Sequence, residues 1–138
     1  MKREIKFRGK HDSSSHWIYG CKIVIDGINA ILCGENSWIG GSELKCQDWN
    51  WVVSKSLGQF TGLKDKNGVE IYEGDFLQSA NGDMMVEVWY SEEKAAFMCE
   101  IVSPPSDMVD FLSCFEPETM VVVGNNFDNI DLLEDQDE

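Results

Sequence analysis

Apolar residues along this chain recur at every second position and not at every third or fourth. No window of 12 or more residues places them at i, i+3, i+4 and i+7, the spacing of an amphipathic helix. Short alternating or β-branched runs bounded by turn residues take their place, at 5–8, 17–25, 28–33, 49–53, 75–79, 84–90, 95–102 and 119–123. Asp26-Gly27 separates the second and third runs and predicts a two-residue hairpin, because both residues tolerate positive φ. Asn67-Gly68 and Asn81-Gly82 predict two more hairpin turns, and Glu73-Gly74 precedes a strand that starts at Asp75. In 84–90, Met85, Glu87 and Trp89 share one parity, and Met84, Val86, Val88 and Tyr90 the other. Pro104-Pro105 ends the strand over 95–102.

Three stretches read differently. Residues 11–15, with three serines, form a loop tip. Residues 34–50 are polar and carry Gly40-Gly41, which predicts a long exposed loop; within it Ser42 is a candidate cap for a short helical turn over 43–47. In 106–118, Met108, Val109, Phe111, Leu112 and Phe115 have the spacing of one or two helical turns. Residues 128–133 form a short terminal segment before an acidic tail. The whole pattern predicts a mainly β protein. An N-terminal β-hairpin region spans 1–56, and 57–138 has the strand and turn order of a small SH3-like barrel or roll. Trp38, Trp49 and Trp51 flank the 34–50 loop and are expected to anchor a core.

Charge narrows the function classes. The chain has 138 residues, 11 basic and 25 acidic, with a formal net charge of −14. All the basic residues fall within 1–94, whereas 95–138 carry 11 acidic residues and no Lys or Arg. Phosphate affinity rests on Lys and Arg, so a general nucleic-acid binder is disfavoured. No apolar run approaches the roughly 18 residues of a membrane helix, and the charged first ten residues do not resemble a signal peptide. The expected location is the cytoplasm. Cys21, Cys33, Cys46, Cys99 and Cys114 are odd in number and lack a Cys-x-x-Cys pair, so they read as reduced thiols. Cys21, Cys33 and Cys99 lie in apolar or alternating runs and are expected to act as small hydrophobes.

Candidate chemistry is sparse. His11 and His16, the only histidines, sit in or beside the serine loop, a poor base for a nucleophile–base pair. Glu70, Glu73 and Asp75, and Asp107 with Asp110, are carboxylate groupings that chance alone supplies among 25 acids. Neither Gly-x-x-x-x-Gly-Lys-Ser/Thr nor Gly-x-Gly-x-x-Gly occurs. No catalytic residue, cofactor or metal is expected. The N-terminal run interleaves Lys6, Arg8 and Lys10 with Phe7; alternation predicts Ile5 and Phe7 inward and the cations in water.

Four blocks carry a family resemblance. The first is Ile5-Lys6-Phe7-Arg8-Gly9-Lys10 with Trp17-Ile18-Tyr19-Gly20. The second, long and specific, is Gly58-Gln59-Phe60-Thr61-Gly62-Leu63-Lys64-Asp65-Lys66-Asn67-Gly68, continuing as Glu70-Ile71-Tyr72-Glu73-Gly74-Asp75. Val86-Glu87-Val88-Trp89-Tyr90 with Phe97 follows, and then Val123-Gly124-Asn125, Asp128-Asn129 and Leu132-Leu133. In this order they resemble the YopX family of phage and prophage proteins. The resemblance implies a mainly β fold with an SH3-type C-terminal part and a phage or prophage origin; it implies no activity. The 34–50 loop departs from the family pattern. The motif residues Trp17, Tyr19, Gly20, Gly58, Thr61, Gly62, Leu63, Asp65, Asn67, Gly68, Tyr72, Gly74, Asp75, Trp89, Gly124 and Asn125 read as fold-determining, because Gly, Asn, Asp and aromatics of this kind build turns and cores. The expected function is a non-catalytic protein-interaction or assembly module with phage or host protein partners, able to form a homo-oligomer. A nucleic-acid-associated SH3-like module or DNA mimic is the first alternative. An enzyme with a carboxylate or metal site is the second.

Overall fold

The structure, a computed structural model, describes residues 4–14, 16–32, 38–40, 43–45 and 49–129. The chain divides into two compact units, Met1–Phe60 and Thr61–Glu138. The described strands are β1 (Phe7–Lys10), β2 (Trp17–Ile25), β3 (Ile28–Leu32), β4 (Trp38–Gly40), β5 (Glu43–Lys45), β6 (Trp49–Trp51), β7 (Gly58–Lys64), β8 (Glu70–Tyr72), β9 (Asp75–Gln78), β10 (Met85–Ser91), β11 (Ala96–Ser103), β12 (Val109–Phe111) and β13 (Val121–Asn125). Three short 3₁₀ turns, at Ser54–Ser56, Leu112–Phe115 and Pro117–Thr119, are the only helical segments among the described residues. No helix there is long and apolar enough to cross a membrane. The mainly β expectation holds.

In the first unit the strand order is β6-β3-β2-β1-β7, all antiparallel where paired. The predicted hairpin closes as expected: Ile25 pairs with Ile28, and Asp26 and Gly27 take φ of 51° and 79°. That left-handed pair gives the turn a twist that matches its strands. Ala30, Ile31 and Val52 are buried. Gly9 on β1 lies flat against Val52, and a Cβ there would come within 2.8 Å of the Val52 Cβ.

Three expectations for this region are corrected. Ile5 is 59% exposed while Arg8 is 8% exposed, the reverse of apolar-in, charge-out alternation. The strand starts at Phe7, and the Arg8 guanidinium lies 4.7 Å from the centre of the Trp17 ring. A delocalised cation on an indole face is buried at tolerable cost, as an ammonium in bare hydrocarbon is not. Cys21 is exposed, because β2 presents it on the outer face. Residues 43–45 form a strand and not a helical turn: β5 pairs with β4 in the register Trp38↔Lys45, Ile39↔Leu44 and Gly40↔Glu43. Part of the 34–50 loop is thus a small hairpin, in which strand pairing satisfies backbone groups that one uncapped helical turn leaves open. Residues 33–37, 41–42 and 46–48, with Cys33, Ser42 and Cys46, lie outside the described residues, as do 130–138. Trp51 is half-buried.

The second unit holds an open antiparallel sheet, β12-β11-β10-β9-β13, with β12 and β13 at its edges. It does not close into a barrel. Its core is Ile71, Leu77, Val86, Val88, Cys99, Leu112 and Met120. Val86 and Val88, which the alternation in 84–90 places on one parity, are both fully buried. The expected helical turns over 106–118 resolve into the three-residue strand β12 followed by the 3₁₀ turns Leu112–Phe115 and Pro117–Thr119. A 3₁₀ period of three residues produces the spacing that resembles a helix. Glu87 faces Glu100 across β10 and β11. Burial, with a further push from Glu100, raises the Glu87 carboxyl above its ordinary value despite a hydrogen bond from Asn126. Glu100→Lys turns that like-charge pair into an attractive one, with an expected gain of about 0.5–1 kcal/mol in urea unfolding at neutral pH.

Candidate functional site

The long central block forms a structural joint. β7 runs into a turn in which Gly68 donates its amide to the Asp65 carbonyl (3.0 Å) and Asp65 donates to the Val69 carbonyl (2.8 Å). Gly68 takes φ of +80°, so the Asn67-Gly68 turn lies where predicted. Asp65, 5% exposed, turns its carboxylate inward. Oδ1 accepts from the amides of Asn67 (2.8 Å) and Val69 (2.9 Å), and Oδ2 accepts from the amide of Val122 (3.0 Å) on β13. One side chain therefore closes its own turn and ties it to the last strand of the sheet. Thr61 donates its hydroxyl to the Ile71 carbonyl (2.8 Å).

The second half of the block repeats this pattern. Asp75, 1% exposed, accepts the Tyr72 amide at 2.8 Å, an Asx contact across the Glu73-Gly74 turn. Tyr72 is itself buried and its hydroxyl reaches Glu70 Oε1 at 3.1 Å. Gly74 donates to the Val88 carbonyl (2.7 Å) and accepts from the Asn126 amide (2.8 Å). At φ +90°, with Asn126 Oδ1 2.8 Å from where a Cβ would stand, only glycine fits there without movement. Asn125 pairs with Asp75, and its Oδ1 accepts the amides of Phe127 (3.0 Å) and Asp128 (2.7 Å). Gly124 pairs with Phe76 beside it. Motif residues from both ends of the unit are thus brought together along β9 and β13.

The others are dispersed. Gly62 and Leu63 lie on the exposed end of β7. Trp89 sits on β10 opposite Met98, and its indole N–H is buried with no hydrogen-bond partner among the described residues. In the first unit Gly58 pairs with Arg8, Gly20 with Phe7, and Tyr19 is 47% exposed. Trp17 carries the Arg8 guanidinium on its ring, with Lys10 Nζ 5.0 Å from the ring centre; Lys6 Nζ lies 5.2 Å from the Phe60 ring. Sequence reasoning missed this basic–aromatic ladder because it joins strands separated in the chain.

Burial opposes ionisation of Asp65, but the amides of Val122, Val69 and Asn67 more than offset it and hold the carboxyl below its ordinary 3.8. A depressed carboxyl contributes its full stability above the ordinary value and loses it as pH falls through the folded-state value. Urea midpoints measured from neutral pH into acid should fall below about pH 4, and Asp65→Asn should flatten that fall. Gly68→Val forces a β-branched side chain into the left-handed region and should cost about 1–3 kcal/mol, read as a lower melting temperature.

Elsewhere among the described residues, the candidate groups stand apart from one another. His11 Nδ1 accepts from the amides of Ser13 (3.2 Å) and Ser14 (3.1 Å), so this ring shapes its own loop. No three His, Cys, Asp or Glu side chains among the described residues are grouped to hold a metal ion. Cys21, Cys99 and Cys114 are free thiols, and burial pushes Cys99 up to about 12.

Comparison with known proteins agrees with this architecture. No curated protein matches the chain. A crystal structure of protein EF1440 from Enterococcus faecalis is similar over 96% of this chain and 99% of that one, with 26% identity and a TM-score of 0.62. The family described as YopX protein matches residues 6–134, which include all sixteen motif residues placed above. The chain belongs to the YopX family.

Proposed function

We propose that this protein is a non-catalytic protein-interaction or assembly module of a phage or prophage, acting in the bacterial cytoplasm. The observation that carries this reading is the destination of the motif's polar atoms. Asp65, Asp75, Thr61 and Asn125 hydrogen-bond to backbone and neighbouring groups of their own unit, which supports reading the most specific part of the sequence as scaffold. The second unit shows several apolar side chains to solvent: Tyr90, Met108, Val109, Phe111 and Val123 are all at least 39% exposed. The order β12-β11-β10-β9-β13, with 3₁₀ turns before the last strand, accords with an SH3-like roll, a scaffold used for partner recognition as well as for nucleic acid.

The cation–aromatic ladder of the first unit weighs against nucleic acid. Arg8, Lys10 and Lys6 already lie over rings of their own unit, and the chain's net charge is −14. Electrophoretic shifts with random duplexes and single strands at about 150 mM salt should show no specific complex. Submicromolar binding there would move the function to the nucleic-acid class. Capture on the purified chain from a lysogenic host, with proteins and nucleic acids identified separately, tests the interaction reading directly: reproducible protein partners are expected, and recovery of nucleic acid alone overturns it.

A further inference from the structure

One open cavity of the second unit lies at the margin of its core, where Met84, Ile101 and Phe115 pack against the buried cluster. Met84, Ile101, Met108 and Phe115 line it, and Asp110 and Glu116 add carboxylates; its volume is about 250 Å³. Met108 is 51% exposed, and Val109 and Phe111 beside it are 43% and 41% exposed. Methionine and phenylalanine make a soft, polarisable wall that adapts to long side chains. The 101–116 segment, which supplies most of the lining, carries Asp107, Asp110 and Glu116 and no Lys or Arg. Asp110 spends one oxygen on the Phe111 amide (2.7 Å), which fixes the carboxylate in place. Glu116 takes φ of +53°, a conformation that is costly for a residue with a side chain and that glycine would adopt freely.

We propose that the Met84–Ile101–Met108–Phe115 cavity, with the carboxylates of Asp110 and Glu116, receives an arginine or lysine side chain presented by an extended apolar segment of a partner protein. The aliphatic stem of such a residue lies along the methionines and Phe115 while its charged head reaches the two carboxylates. An acidic or purely apolar segment leaves both carboxylates uncompensated. This proposal rests on the interaction-module reading and names the surface it uses.

A phage-displayed library of random short peptides, selected on the full chain at physiological salt, tests it. Enriched peptides should share a basic residue flanked by apolar ones. The isosteric double variant Asp110→Asn/Glu116→Gln retains the Asp110 acceptor for Phe111 and should weaken a selected synthetic peptide by about tenfold or more, the loss expected for one charge-assisted contact. Met108→Glu should weaken it too, whereas Val24→Ser in the first unit should not. Glu116→Gly is the discriminating variant: it should raise the melting temperature and still weaken the peptide, a split that a purely structural role of Glu116 does not produce. The peptide should also slow alkylation of Cys114, which lines the cavity, and leave Cys21 unaffected.

Peptides without basic residues, or binding indifferent to the cavity variants, would place recognition on another surface and sink this site while sparing the interaction reading. Failure to enrich any peptide would count against both. Displacement of the peptide by spermidine at equal concentration would mean that the site takes free cations and not a partner's side chain. Self-association abolished by Asp110→Asn/Glu116→Gln would make the occupant a second copy, which likewise overturns the proposal.

Discussion

Replacing Asp65 with alanine should lower the stability of the second unit by about 3–4 kcal/mol, the largest loss expected from any single polar substitution in this chain. The carboxylate accepts three backbone amides, and each charge-assisted bond of this kind contributes about 1.5–3 kcal/mol. The amides of Asn67 and Val69 lie in an exposed turn and can recover water, so their loss is partly offset. The Val122 amide is half-buried and recovers less. Asp65→Asn should cost less, because one oxygen remains to serve the turn; its amide nitrogen then faces the Val122 N–H, donor against donor. Urea unfolding at neutral pH, with the two variants compared at unchanged m-value, measures the difference. Equal losses for the alanine and asparagine variants would show that the turn bonds to Asn67 and Val69 contribute nothing beyond the link to Val122.

A second large effect is expected at Gly9, where the reason is volume and not hydrogen bonding. An alanine Cβ would stand 2.8 Å from the Val52 Cβ, an atom held by its own backbone and unable to rotate away. Overpacking of this kind should cost about 2–3 kcal/mol. A double-mutant cycle separates crowding from any intrinsic cost of alanine: in a Val52→Gly background the Gly9→Ala substitution should cost almost nothing, giving a coupling of about 2 kcal/mol. Thermal melts of the four proteins provide the test, and an unchanged cost in the second background would remove the contact with Val52 as its cause.

Much of this fold is legible in the sequence because its signals are local. Asp26-Gly27, Asn67-Gly68 and Asn81-Gly82 are short-range instructions, and all three occupy turns with a glycine φ of +78° to +80°. The strands they join are long enough to show alternation. The failures have one physical origin in common, namely information carried by neighbours far along the chain. Arg8 is turned inward by the Trp17 ring, a partner that alternation along β1 cannot reveal. β4, β5 and β12 have three residues each, too few for a period to be read. The motif residues were readable as fold-determining, but the reach of Asp65 to Val122 spans 57 positions and leaves no local trace. The cavity draws its walls from Met84, Ile101 and the 108–116 segment, so only folding assembles it.

The bond from Asp65 to Val122 also bears on the order in which the unit can be completed during synthesis. β9 is the first strand of its sheet to leave the ribosome and β13 the last, yet the two are neighbours. Until Val121–Asn125 has emerged, one flank of β9 stays unpaired and the Asp65 carboxylate lacks its third donor. The missing pieces are the final strand and its amide, so a nascent chain halted before residue 121 holds most of the sheet without its closing clasp. Such non-local closure slows folding and joins the stability of the unit to its last-made segment. Premature termination before residue 121 would therefore yield open chains fit for proteolysis and not a shortened working copy.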